Sequence, residues 1–168
     1  MKRKAAAPKK RSAVALEEVL EGTLRAVAAR SAETPAADAA RRREALLAEQ
    51  ERRLRTSIQG AVAALLDKKA EKVVVLNLEG LSAISDYFVI GTAGSPRQSQ
   101  AMADAVEKAM KEEGRRPLSA EGYQSGTWIL LDYGDVVFHL FHEEARRFYG
   151  LERLWGDAAD VSPDFAAS

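Results

Sequence analysis

Gly91-Thr92-Ala93-Gly94-Ser95 is the stretch of this chain that comes nearest to chemistry. It joins an apolar run to a helix-forming segment, a position where backbone N–H groups and the helix dipole can hold a phosphate. A nucleotide-binding or nucleotidyl-transferring site built on Gly94 and Ser95 would also need two closely spaced carboxylates on a following strand to hold a metal ion. That pair is missing: Asp132 and Asp135 flank a turn, and Asp104 stands alone on a helix. The Lys of a P-loop is missing too. A structural turn with a helix cap is therefore the favoured reading of the loop, and the nucleotide enzyme is the alternative. His139 and His142 are the only histidines and there is no cysteine, so neither a zinc-protease helix nor a thiolate site can be assembled, and no metal or cofactor is expected. Ser85-Asp86 has no neighbouring general base and no Gly-x-Ser-x-Gly elbow, and is read as ordering a turn.

The elements that must position these residues follow from periodicity. Ser95-Pro96 is a helix start, the hydroxyl capping backbone N–H groups and Pro standing where none is needed. Met102, Ala105, Val106, Ala109 and Met110 predict its buried face, and Gly114 its end. Strands are predicted at Lys72–Leu76, Tyr87–Ile90, Leu118–Glu121, Trp128–Leu131 and Val136–Phe141. Asp132-Tyr133-Gly134-Asp135 forms the tight turn of a hairpin between the last two. A final helix covers Glu143–Tyr149, with Gly150 ending it before Leu151–Trp155. Upstream, Ile58, Ala61, Val62, Leu65 and Leu66 mark one buried helix face. Ala13–Arg30 and Ala36–Arg55 are helix formers split at Ser31–Pro35, and their thin, Ala-rich stripes predict helices outside the main core. The fold class expected is α+β, an α/β-like mixed sheet of about five strands flanked by helices.

Along the hairpin, Val136, Phe138 and Leu140 share one side, and Val137, His139 and Phe141 the other. One side is expected to be core. The other would expose His139 and Phe141 beside an acidic turn with Trp128 on the partner strand, which resembles a protein-binding patch of aromatic anchors rimmed by charge. For Trp128 alone, core and patch remain equally open.

The chain has 168 residues, 46% hydrophobic and 30% charged, enough for one core plus an added segment. No apolar run approaches the roughly 20 residues of a membrane helix. The lack of cysteine fits a reducing compartment, and a cytoplasmic location is expected. Zero net charge conceals an asymmetry: residues 1–56 hold 14 Lys and Arg against 8 Asp and Glu, net +6, whereas residues 57–168 hold 11 against 17, net −6. An acidic half is a poor partner for phosphate backbones and a good one for a basic protein. The organisation expected is a basic, Ala/Arg-rich extension over 1–52, partly disordered or helical, a folded domain over 53–158 and a flexible tail over 159–168. Within the extension, the acid-free Met1–Ser12 reads as a solubilising start, with weak rRNA contact as the sharper alternative.

Three separated stretches, DYFVIGTAGSPRQSQ (Asp86–Gln100), GTWILLDYGDVVFHLF (Gly126–Phe141) and RRFYGLERLW (Arg146–Trp155), resemble the ribosome silencing factor, or iojap-related, family in that family's order. The resemblance covers about Leu54 to Gly156. It implies a nucleotidyltransferase-like fold without catalysis, and a translational repressor. Such a repressor binds the large ribosomal subunit at its intersubunit face through a basic ribosomal protein and blocks joining of the small subunit, above all in nutrient limitation or stationary phase. It also implies a homodimer when free. Carried over position by position, the partner-binding residues are Glu121, Gly122, Trp128, Asp132, Tyr133, Asp135, His139 and Phe141. The closing motif matches at Arg146, Arg147, Tyr149, Leu151, Glu152, Leu154 and Trp155, of which Leu151, Leu154 and Trp155 are expected in the core or a dimer seam.

Overall fold

Alternating side chains along four adjacent strands divide the apolar residues into two separate cores, one on each side of a single sheet. The computed structural model describes residues 11–32 and 34–166, in two units, Met1–Gln50 and Glu51–Ser168. In the first unit, α1 (Arg11–Ala32) precedes α2 (Pro35–Asp67), whose start is capped as its sequence demands: the Ala37 N–H donates to Thr34 Oγ1 at 3.3 Å. None of the described side chains of this unit is buried. Met1–Lys10, most of the proposed basic arm, lies outside the described residues.

The second unit takes up α2 at Glu51. Two helices were expected around Arg55–Ser57, but α2 is continuous there, because no Gly or Pro interrupts the helix formers. From Leu54 onward its Leu54, Ile58, Ala61, Val62 and Leu65 face the core, whereas Leu66, expected with them, is exposed. The strands are β1 (Glu71–Asn77), β2 (Tyr87–Ala93), β3 (Ser119–Glu121), β4 (Trp128–Asp132), β5 (Val136–His142) and β6 (Ala159–Asp160). Their spatial order is β3-β4-β5-β2-β1-β6, with β2 and β5 parallel and every other pair antiparallel. The mixed α+β sheet is thus as expected, with a sixth short strand added.

One side of the sheet is closed by α2 and by α3 (Pro96–Glu112), which buries Met102, Ala103, Val106 and Met110 over Val89, Ile129, Leu131, Val136, Phe138 and Leu140. Ala105 and Ala109 sit at the edge of that contact, half-buried. The other side carries Leu76, Phe88, Ile90, Val137 and Phe141 under α4 (Glu143–Tyr149) and α5 (Leu151–Leu154).

The segment expected to be a flexible tail is instead built in. β6 pairs with Leu76 and Asn77, Val161 N–H donates to the Val75 carbonyl at 2.9 Å, and Ser162 Oγ accepts from Val75 N–H at 2.9 Å. A 3-10 turn, Ser162–Phe165, then drives Phe165 into the first core, edge-on to Tyr87 at 6.2 Å and under the Arg55 guanidinium at 4.8 Å. Burying one aromatic ring of this size is worth roughly 1.5–3 kcal/mol, which adds to the backbone bonds to β1 in holding the segment.

Candidate functional site

The two layers over the sheet are unequal. α4 and α5 have seven and four residues and bury only Ala145 and Leu151 respectively. α4 lies over β5 and β2 and leaves β4 partly open, so Trp128 and Leu130 are half-buried on the rim of the second core. Glu143 and Glu144 suit the helix start, and Gly150 ends α4 in the left-handed region at φ 54. That abrupt end leaves the last turn unpaired with the sheet: Phe148 is 80% exposed, and Tyr149 is about half-exposed. Tyr149 lies against Trp128 with ring centroids 4.5 Å apart, and Phe148 stands perpendicular to Tyr149 at 5.1 Å. Trp128, Tyr149 and Phe148 thus form a contiguous aromatic surface, with Glu121 exposed on β3 and Asp132 half-exposed at the far end of β4.

His139 explains how the indole is held. It is buried, and Trp128 Nε1–H donates to its Nδ1 at 3.3 Å. An indole N–H can only donate, so Nδ1 is the bare nitrogen and the ring proton sits on Nε2, which has no partner among the described residues. Burial pushes the imidazole down to about 4, against a smaller upward pull from Asp132. His139 is therefore a neutral acceptor that orients Trp128.

The face assignment made from the hairpin alternation is corrected here. His139 and Phe141 were expected on an exposed side, but both sides of β5 are covered, and Phe141 is wholly buried, stacked on Trp128 at 5.0 Å. Tyr133 is also buried, edge-on to Phe138, and burial raises its phenol to about 12. Gly122 has φ +75, and a Cβ there would meet the Trp128 carbonyl oxygen at 1.9 Å, so this glycine serves the β3–β4 connection. Asp135 ion-pairs with Arg115, and its carbonyl accepts from the Asp86 and Tyr87 N–H groups. Asp132 Oδ1 accepts from Gly134 N–H at 2.7 Å and closes the predicted turn. Of the eight carried-over residues, Glu121, Trp128, Asp132 and Asp135 thus reach the surface with side chains, Asp135 engaged there by Arg115. Leu151 is core as expected and Trp155 lies edge-on to Phe88 at 5.7 Å, whereas Leu154 is 73% exposed. Leu130 and Phe148 were not singled out in the sequence, although a Phe-Tyr pair directly before a helix-ending Gly is the signal that the last turn would project.

The Gly94-Ser95 loop uses the Gly94 N–H and the Ser95 hydroxyl oxygen internally. Gly94 N–H donates to Gln98 Oε1 at 2.8 Å, Ser95 Oγ accepts from Gln98 N–H at 3.1 Å, and Gln98 Nε2 reaches the carbonyls of Lys68 and Lys69 at 3.0 Å each. The arrangement ties α3 to the end of α2. Ser85 Oγ donates to the Tyr87 carbonyl at 3.1 Å, fixing the turn before β2. Among the described residues no three His, Cys, Asp or Glu converge on a metal-sized space, and no helix is long and apolar enough to cross a membrane.

Comparisons with known proteins meet this geometry. The family described as "Ribosomal silencing factor during starvation" matches residues 50–167. A "Ribosomal silencing factor RsfS" from Halalkalibacterium halodurans is 48% identical over 104 residues, 62% of this chain and 89% of that protein. A mouse protein named "Mitochondrial assembly of ribosomal large subunit protein 1" is 33% identical over 97 residues, 56% of this chain and 42% of its own. A crystal structure of a Chromobacterium violaceum protein superposes with a TM-score of 0.58 at 35% identity, over 60% of this chain and 83% of that one. The chain belongs to the ribosomal silencing factor family.

Proposed function

We propose that this protein is a non-enzymatic repressor of translation that binds the large ribosomal subunit and prevents joining of the small one. The observation that carries the reading is the half-covered sheet face, where Trp128, held by His139, adjoins exposed Tyr149 and Phe148 beside Glu121. Aromatic anchors with an acidic rim suit a basic protein surface, as most ribosomal proteins offer. The relatives' names, one of them referring to the large ribosomal subunit, point the same way. A folded body of about 110–120 residues has a radius of gyration near 13 Å, ample to obstruct a subunit interface, so silencing would be stoichiometric and reversible. The engagement of Gly94 N–H and Ser95 Oγ by Gln98 favours this reading over a nucleotide enzyme.

Sedimentation of ribosomal subunits through a sucrose gradient, at magnesium levels that join them, tests the proposal. The protein is expected to travel with the large subunit and to deplete joined ribosomes. Phe148→Asp, on the most exposed ring, should abolish both effects in a folded protein. Unimpaired joining in the presence of excess wild-type protein would end the reading.

A further inference from the structure

A second feature flanks α4 on the side away from Trp128. Lys72, Thr92, Arg146, Arg147, Gly150 and Arg153, with Glu143 and Glu152, line a cleft of about 370 Å³. Residues 57–168 contain 11 Lys and Arg against 17 Asp and Glu, yet four of those eleven meet here against two acids.

The cleft is built around a largely covered guanidinium, that of Arg146, whose side chain is 10% exposed. Arg146 Nε donates to Glu152 Oε1 at 2.8 Å, and Nη1 donates to the Lys72 carbonyl at 2.6 Å and to Thr92 Oγ1 at 2.7 Å. Arg146 thereby neutralises Glu152 and ties α4, α5, β1 and β2 together. The price is a break in β1: its register with β2 shifts between Glu71 and Val74, and Lys72 adopts φ 47, a left-handed conformation unfavourable for a side chain with a Cβ. The bulge aims the Lys72 carbonyl at Arg146 and its ammonium at α4, where Nζ lies 3.9 Å from Glu143. Glu143 is shared, since Arg147 approaches it at 4.0 Å, and both contacts are long and exposed. The Arg153 guanidinium folds back over Gly150, 3.6 Å from where a Cβ would stand, and makes no side-chain hydrogen bond or ion pair among the described residues. Once Arg146 is matched to Glu152, the cleft holds three cations against one carboxylate, of which Lys72 and Arg147 approach it.

The geometry points to a phosphate-binding cleft, whose ligand is a phosphate of an RNA backbone held by Lys72, Arg147 and Arg153. This rests on the proposed large-subunit docking, because the cleft and the aromatic surface lie on the two flanks of one helix and can meet a ribosomal protein and adjacent rRNA together. A second cationic cleft, lined by Lys108, Lys111, Arg115 and Arg116, has no such relation: it lies along α3, which packs on the opposite side of the sheet.

The experiment measures binding of the full-length chain to purified large subunits, to a short RNA duplex and to inorganic pyrophosphate across a salt series. Wild type is compared with Arg147→Glu, Arg153→Glu and, in the α3 cleft, Lys108→Glu. Basic residues near the N-terminus contribute equally to all variants, so only differences count. Loss of a phosphate contact should lower the slope of log affinity against log salt by about 1. Arg147→Glu and Arg153→Glu are expected to do this for subunits and duplex alike, and Lys108→Glu is not. If pyrophosphate binding depends on Arg153 while duplex binding does not, the phosphate source is a small molecule and the RNA assignment is overturned. An unchanged slope in both cleft variants, or an equal drop in Lys108→Glu, overturns the cleft outright even if subunit binding persists. Duplex binding that depends on Arg153 in a protein that ignores large subunits would retain the cleft and remove the docking reading.

Discussion

The two sides of the sheet contrast in how they are covered. The side under α2 and α3 is closed by long helices over an apolar core that includes Ile58, Met102, Met110, Phe138 and Leu140, all fully buried. The side under α4 and α5 is closed by eleven helical residues and includes a buried histidine, a buried arginine network and two tryptophans that are only half-buried. The first side is organised for stability. The second gives up some apolar burial for oriented polar groups and an unfinished aromatic edge, as expected where a sheet face must also meet a partner.

Substitutions on each side test that division. Phe138→Ala, in the first core, should cost about 3–5 kcal/mol in denaturant unfolding, the largest effect expected; a loss below 1 kcal/mol would mean this side is not the stabilising one. Acid should act on the second side. His139 sits at about 4 when folded against 6.5 in an unfolded chain, so below pH 6.5 the unfolded state binds the extra proton. Stability linked to His139 is therefore complete above about pH 6.5 and lost as pH falls toward 4, by on the order of 3 kcal/mol. His139→Leu should flatten the melting-temperature profile in that window relative to wild type, and superimposable profiles would show that the imidazole does not titrate with folding. Arg146→Ala should cost about 2 kcal/mol, below the usual range for a broken buried pair because Glu152 is partly solvated. Phe148→Ala should change stability by less than about 0.5 kcal/mol while weakening the proposed large-subunit binding. A stability loss comparable to that of Phe138→Ala would place Phe148 in the core and dissolve the contrast.

Much of this fold was legible because its signals are local. The alternation in Val136–His142 separates the two sides of β5 correctly, and Ser95-Pro96 and Gly150 mark helix ends that the structure reproduces. That both sides of β5 are covered was not legible, since the second cover is a seven-residue helix burying one alanine, too little for periodicity to register. Phe165 escaped for a related reason: a lone aromatic in a polar stretch has no pattern until β1 supplies its partner. At the candidate site, Trp128 was identifiable by type. The inward turn of His139 and Phe141, which converts both from contacts into supports, required the opposite layer to be seen.

The clasp formed by β6 and Phe165 bears on assembly. β6 and Ser162 cover the outer rim of β1 from Val75 to Asn77, the β1 bulge interrupts the rest, and the other rim is the three-residue β3, so neither margin offers a long row of unpaired backbone groups to another strand. Growth by strand addition is disfavoured at both ends. Encounters with other molecules are thereby steered toward side chains on the sheet's broad surface, which favours a discrete complex over open-ended polymerisation.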